Sequence, residues 1–544
     1  MNKDIDNIKC KFACQYYNNH KTVTDTYQEF TGEVTPNCDI IRTQCFDIDD
    51  KKVWDDIDMK LKKQDFNLNN KMTDLADGYY LPVNEHKYNV HMILIDTVGE
   101  YSYQRTLVKT NKVIRDMYKA FEFKLHHKVG ENTLPNVKAM LMNIRSEDVV
   151  DNLKARPTLK AEMSERAFCN SDKSKFPFIP RYFQQNNYIT MRTQDWWYST
   201  FGHPASCRPV FKYDHDAYAF SGIITRDKVV KDVFKKKCLE SYKVNLKYLE
   251  EYMEAYKDKK LFSFNFLTNI QHENINGLYH ADESLSKFFH NNANNFENSF
   301  VIFMADHGVR FGKYREKTDL GQFEDSNPFL RLMLPKKLRE NKKLMEVVEN
   351  NSKKFTSQYD IFATLIDILT EGSKTDFSDL QYKDFSNTVM NYQVKGQSLL
   401  RQTLDRDEYE MQIPVAYQFY KKEINDLVEK LFPEINNLII TNCVKAMNKM
   451  LEEADLMGKC VPLKAKQNGS NHKINVLNLN GKPFFEVEID VFPGKGRFAG
   501  QVNENYEVVP NSFRRLNAYK DEAEVCETES SARQYCYCKK LLKD

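Results

Sequence analysis

Phe300-Val301-Ile302-Phe303-Met304-Ala305-Asp306-His307-Gly308 runs apolar and then stops on an acid, an imidazole and a glycine. Met92-Ile93-Leu94-Ile95-Asp96 repeats the pattern earlier in the chain. Short unbroken apolar runs rich in β-branched and aromatic residues read as strands buried on both faces, as in a parallel sheet. Open α/β sheets bind ligands beyond the carboxyl ends of their strands. Two carboxylates and an imidazole delivered to that edge suit a hard or borderline divalent cation held through oxygen and nitrogen. Taken singly, either motif is equally an acid capping the helix that follows it.

Between them lies Val129-Gly130-Glu131-Asn132-Thr133-Leu134-Pro135-Asn136, followed by the mostly apolar run Val137 to Met142. Thr133 stands where a helix should begin, a preferred N-cap residue with Pro135 in the first turn. The free N–H groups and positive dipole end of such a helix suit a bound phosphate or sulfate. A hydroxyl there, touching a metal, is a candidate nucleophile; otherwise Thr133 only caps its helix. His272 follows another strand-like run, Phe264 to Gln271, and reads as an active-site histidine or a surface-loop one. Arg310, three residues after His307, suits bidentate binding of an anionic ester oxygen or, equally, pairing with Glu324 or Asp325.

An Asp after the first strand, a T-x-P-N helix start and a distal Asp-His-Gly, in that order, resemble the alkaline-phosphatase superfamily. That group includes sulfatases, nucleotide pyrophosphatases and phosphoethanolamine or glycerophosphate transferases. More closely, the chain resembles the sulfatase-like animal family called "domain of unknown function 229". The matching pieces are Asp96 followed by Tyr103-Gln104-Arg105 and Lys109-Thr110, Val129 to Asn136, and Tyr188-Ile189-Thr190. Further on they are His272 with Glu273, Ser299 to Arg310, Gly321 to Pro328, and Cys536-Tyr537-Cys538. They cover most of the chain from residue 85 onward.

The resemblance implies an alkaline-phosphatase-like three-layer α/β sandwich with a mostly parallel central sheet. It implies one divalent metal ion (zinc, manganese or magnesium) held by Asp96, Thr133, Asp306 and His307, with Thr133 as nucleophile. His272 would contact the substrate or protonate the leaving group, and Asn136 joins Arg310 as a substrate-binding candidate. A divalent metal lowers the pKa of bound water from about 16 to about 7, and a coordinated hydroxyl is acidified in the same sense. A second metal is doubtful. The usual Asp four residues before the histidine is here Thr268, and His280 with Asp282 lies in a stretch, Ala281 to His290, that reads as an amphipathic helix.

The chain also departs from its relatives. Where they carry D-S-x-S it has Asp96-Thr97-Val98-Gly99, followed by Glu100, an extra charge that a phosphate pocket does not want unless Glu100 points away or binds metal. Arg401 to Tyr420 lacks the cysteines of relatives. Both departures keep a catalytically inactive extracellular binding module open as the alternative. A true sulfatase needs a Cys or Ser converted to formylglycine in a C-x-P-x-R motif; Thr133-Leu134-Pro135-Asn136 supplies neither. The expected activity is therefore a metal-dependent phosphoester hydrolase or phosphotransferase, with sulfate esters the lesser option. Small-molecule, lipid-headgroup and glycan esters are all open as substrates, because specificity lies in loops with no readable code.

With 79 basic against 77 acidic residues, no global field argues for nucleic acid or an anionic membrane. At 544 residues and 41% hydrophobic content the chain can bury a large core and an accessory region. The 12 cysteines crowd toward both ends, which suits disulfides in an oxidising compartment; a zinc ribbon is the rival. N-x-S/T sequons at Asn350 and Asn468 suit a secreted glycoprotein. No apolar signal segment opens the chain and no run reaches the roughly 18 apolar residues of a membrane span. The resemblance implies an extracellular or lumenal protein, so an anchor upstream of this chain is the expectation.

The expected organisation is a Cys-bearing segment over 1–84, the core over 85–405, and an α+β region with a Cys-rich tail over 406–544. Within the core, a strand over Asn89 to Asp96 precedes a helix over Thr106 to Phe123. Asp214-His215-Asp216 reads as a polar loop, Ile424 to Phe432 as a helix, and Trp196-Trp197-Tyr198 as packing or a cleft wall.

Overall fold

The computed structural model describes residues 8–18, 21–66, 88–151, 156–163, 165–172, 176–196, 212–226, 228–386, 392–417, 433–466, 472–479, 482–519, 521–526 and 531–542. The chain begins with a five-stranded antiparallel sheet: β1 (Lys9–Asn18), β2 (Lys21–Thr24), β3 (Gln28–Phe30), β4 (Ile40–Phe46) and β5 (Lys52–Met59). Cys10 and Cys45 face each other across β1 and β4 and are joined, and Cys14 is joined to Cys38. The front cysteines are therefore disulfide staples, and they do not form half of a zinc ribbon.

The central sheet contains β6 (Asn89–Ile95), β7 (Phe121–Glu122), β9 (Tyr188–Gln194), β10 (His215–Asp216), β11 (Lys260–Leu267), β12 (Ser299–Ala305) and β13 (Leu330–Met333). Their order is β10-β9-β11-β6-β12-β13-β7, parallel from β10 to β12 and antiparallel over the last two pairings. A small parallel pair, β8 (His126–His127) with β14 (Thr356–Ser357), lies outside this sheet.

Every residue of β12 is buried, and β6 and β11 are buried past their first residue. That explains their unbroken apolar sequences: a strand covered on both sides has no solvent face to alternate with. Val90, Met92 and Leu94 point into one core, with α3 (Thr133–Met142), α4 (Glu165–Asn170), α5 (Ile179–Gln185), α12 (Lys342–Ser352) and α13 (Gln358–Leu369). Ile93 and Ile95 point into the other, with α1 (Glu100–Thr106), α2 (Val108–Tyr118), α6 (Tyr218–Arg226), α7 (Lys228–Lys236), α8 (Ser241–Ala255) and α9 (Leu278–Asn291). The result is the expected three-layer α/β sandwich with a mostly parallel sheet.

Three short helices, α10 (Lys313–Lys317), α11 (Asp319–Ser326) and α14 (Glu371–Thr375), complete the core. The C-terminal region is α+β. There α15 (Pro433–Glu453) packs on an antiparallel sheet of β15 (Lys464–Ala465), β16 (Lys473–Leu479), β17 (Lys482–Phe492), β18 (Arg497–Val502) and β19 (Arg514–Arg515). Cys460 is bonded to Cys536 there, while Cys443, Cys526 and Cys538 are free.

Two local expectations fail. The helix expected over Thr106 to Phe123 breaks at Leu107 and ends where Lys119 turns left-handed, φ 54°. Phe121 then joins the central sheet opposite Leu332. Asp214-His215-Asp216 is not a loop: His215 and Asp216 pair with β9, while Asp214 accepts hydrogen bonds from the Thr190 amide and hydroxyl. Ile424 to Phe432, Trp197-Tyr198 and Asn468 lie outside the described residues; Asn350 is exposed on α12. Among the described residues no helix is long and apolar enough to cross a membrane.

Candidate active site

Strands β6 and β12 are parallel neighbours with Ile95 opposite Ala305. The next residue on each, Asp96 and Asp306, therefore leaves the sheet side by side at its carboxyl edge. Both carboxylates and the His307 imidazole are buried, and their ligand atoms all lie within 4.8 Å of one another. His307 Nε2 is 3.4 Å from Asp306 Oδ2 and 3.8 Å from Asp96 Oδ1. On its other side, Nδ1 lies 2.8 Å from the Gly308 carbonyl, which only accepts. The proton is thus assigned to Nδ1, and the Nε2 lone pair faces the acids.

The backbone enforces this arrangement. Thr97 turns left-handed, φ 66°, its hydroxyl donates to Asp96 Oδ1 at 2.5 Å, and its amide donates to Asp306 Oδ1. A Cβ on Gly308 would stand 1.7 Å from the Glu324 carbonyl oxygen, so only glycine fits. Gln358 of α13 donates to the Asp306 carbonyl at 2.9 Å.

A cation fits this donor set. Asp306 Oδ2 is buried with no hydrogen-bond partner, a costly state for a carboxylate oxygen. Burial, with Asp306 alongside, holds the Asp96 carboxyl well above the usual carboxylate range, and burial pushes His307 down to about 4. Paired acids and a neutral imidazole are what a divalent ion needs as ligands.

Thr133 opens α3, but Asn132 is the cap: its side chain accepts from the Leu134 amide at 3.2 Å. Thr133 is the first helical residue, half-buried, with its hydroxyl not used in capping. Asn136 is committed to shaping the preceding loop. Its amide donates to the Gly130 and Asn132 carbonyls and accepts from the Val129 amide. Glu131 reaches toward Arg310, Oε1 to Nη2 3.6 Å, which joins this loop to the one that follows His307.

Arg310 pairs with neither Glu324 nor Asp325. Glu324 is taken by Arg105, while Asp325 is held by Lys128, Arg315 and Arg514. Arg310 Nε is buried without a hydrogen-bond partner. Glu100 points away from the site and forms a buried two-armed pair with Arg331, at 2.7 and 2.8 Å. His272 sits in the turn after β11, bonded to Glu273 and packed on the Trp196 ring, 4.6 Å between centroids; among the described residues it does not touch the acid–imidazole cluster. Asp282 is no metal ligand here, because it caps α2 through the Lys109 and Thr110 amides.

Comparison with known proteins places the chain. Residues 1–468 match the sequence model of the family described as "Protein of unknown function (DUF229)". The chain belongs to that family. No curated protein matches it. Among solved structures, the C-terminal periplasmic domain of EcEptC from Escherichia coli is 11% identical with a TM-score of 0.37, over 56% of this chain and 88% of that one. The lipoteichoic acid synthase LtaP from Listeria monocytogenes is 11% identical with a TM-score of 0.35, over 62% and 80%. A protein of the alkaline phosphatase superfamily from Vibrio parahaemolyticus is 11% identical with a TM-score of 0.36, over 88% and 91%. Likeness at this level says nothing about the reaction.

In this DUF229 chain one acid at the same sheet edge escaped the sequence reading. Asp195, directly after β9, is buried and accepts the Thr268 and Asn269 amides and the Ser241 hydroxyl. Burial pushes its carboxyl up to about 6. It positions the turn that carries His272. The signal existed, an acid ending a strand, but Thr190, Arg192 and Thr193 hide β9 among polar sequence.

Proposed function

We propose that this chain is a metal-dependent phosphoester hydrolase or phosphotransferase with Thr133 as its nucleophile. The observation that carries this is the buried Asp96–Asp306–His307 cluster with its unpartnered Asp306 Oδ2. Asp96, Asp306 and His307, joined by Thr133, would hold the ion. When bound, a divalent cation supplies Lewis acidity and offsets charge on the ester oxygens. Thr133 Oγ1 then loses its proton to solvent and bonds to phosphorus as the ester P–O bond breaks. The Thr133 amide at the start of α3 and the Arg310 guanidinium bind the non-bridging oxygens. His272, held by Glu273 and the Asp195-anchored turn, gives a proton to the departing alcohol. Water, or a second alcohol, releases the phosphoryl group from Thr133.

Threonine cannot become formylglycine, which favours phosphate over sulfate esters. The disulfides among the described residues support an oxidising, extracellular or lumenal setting. The purified chain is expected to hydrolyse an aryl phosphate, to lose that activity to a chelator, and to lose about 10³-fold or more of it in Thr133→Ala. Full activity in Thr133→Ala would sink the proposal.

A further inference from the structure

Asp325 of α11 is shared by three cations. Lys128 Nζ lies at 2.6 Å, Arg315 Nη2 at 3.0 Å and Arg514 Nη1 at 3.4 Å. Among the described residues none of the three has another acid within ion-pair distance. One carboxylate cancels one charge, so the cluster keeps an excess of two positive charges, and Lys128 and Arg315 are fully buried. Burial of unneutralised cations is unfavourable, and Arg315 Nη1 also lacks a hydrogen-bond partner. Burial, with Arg315 beside it, pushes Arg514 down to about 10. Docking β19 onto α11 needs one arginine and one acid; it gives no reason for the other two cations.

Of these cations, Arg514 borders a cavity of about 450 Å³. Asn132, Leu134 and Pro135, the neighbours of Thr133, line it from the core, and Arg514, Tyr519 and Arg533 line it from the C-terminal region. Arg533 Nε is buried without a hydrogen-bond partner, and among the described residues Arg533 has no acid in ion-pair range. Glu131, Glu147 and Asp148 line the space too, but Glu131 faces Arg310, Glu147 accepts from the Tyr417 hydroxyl and Asp148 pairs with Lys160. A space of this size accepts a sugar or polyol, Tyr519 offers a ring face, and Arg514 and Arg533 are left for an anion.

We infer that this cavity binds a second anionic group of the substrate, carried on a sugar or polyol whose phosphoester meets Thr133, with Arg514 and Arg533 as its ligands. This rests on Thr133 being the reacting residue. The substrate class is then a polyanionic sugar or polyol phosphate, not a simple monoester.

Calorimetric titration of the full Thr133→Ala chain, which does not turn over, with glucose 1,6-bisphosphate and glucose 6-phosphate tests it. The bisphosphate is expected to bind about tenfold tighter or better, and Arg533→Gln on that background to bring the ratio within about twofold. Arg533→Lys, which keeps the charge, should retain a preference of about threefold or more. Equal affinities, no bisphosphate binding, or a preference untouched by Arg533→Gln would overturn the subsite. Should Arg533→Gln fail to fold, salt decides: the ratio must fall about threefold or more between about 0.05 and 0.5 M NaCl, and a constant ratio refutes it. Aryl-phosphate hydrolysis by the unmutated chain reports on catalysis separately. A preference without turnover keeps the subsite and removes the enzyme reading, and turnover without a preference does the reverse.

Discussion

Asp96 Oδ1 and His307 Nε2 stand 3.8 Å apart across the seam between β6 and β12. That is too long for a direct hydrogen bond and suits two ligands of one small cation. Without the ion, the Asp96 and Asp306 carboxyls crowd each other in a site shielded from water, and burial with Asp306 alongside holds Asp96 well above the usual carboxylate range. Asp306→Asn is therefore expected to raise stability in chelator, by about 1 kcal/mol, while abolishing the response to metal. The unmutated chain should gain about 2.7–4.1 kcal/mol at zinc concentrations of about 100 to 1,000 times Kd. Thermal melts of both proteins with zinc and with chelator decide it; an equal zinc response in Asp306→Asn would show that the ion sits elsewhere.

Glu100 reads, in sequence, as an unwelcome charge beside a phosphate pocket, yet its carboxylate is turned into the core against Arg331. Both side chains are essentially inaccessible to water. Breaking one half of such a pair strands the other charge, which costs about 3–5 kcal/mol. Glu100→Gln should lower the unfolding free energy from urea titration by that amount, while the folded fraction turns over aryl phosphate at the unmutated rate. A variant that folds normally but loses turnover would put Glu100 in the site after all.

What the sequence makes legible here follows burial. Strands β6 and β12 are apolar on both faces, so their ends, and the acids beyond them, can be read directly from residue order. Strand β9 mixes Thr190, Arg192 and Thr193 into its run, so Asp195 at its end stayed hidden. Asn132 and Thr133 are both good cap formers, and adjacent candidates cannot be ranked without the backbone. Two-residue strands such as His215–Asp216 are too short to show a period of two. The convergence on Asp325 is invisible for another reason: Lys128 and Arg514 are 197 and 189 positions away in sequence, and only the packing of α11 against β19 and the loop before α3 unites them.

Glu147 gives a pH dependence whose sign is opposite to that of an ordinary surface carboxylate. Its carboxylate accepts the Tyr417 hydroxyl, at 2.9 and 3.1 Å, and the Glu131 amide at 3.0 Å. Burial, opposed by those bonds and by Lys128 and reinforced by the Glu131 charge, pushes its carboxyl from 4.5 up to about 7. The folded state thus holds a proton that the unfolded state has released between these values. Its stabilisation is fully present below pH 4.5 and is lost as pH rises through about 7. The complete shift corresponds to about 3 kcal/mol, and because Glu147 also lines the cavity, about 1–2 kcal/mol is the expected share. Glu147→Gln keeps the acceptor for Tyr417 and removes the titration. Urea denaturation of both proteins should therefore show the variant gaining about 1–2 kcal/mol on the unmutated chain between about pH 4.5 and 7.5. A constant difference across that range would mean that Glu147 ionises in the folded protein as it does in the unfolded one.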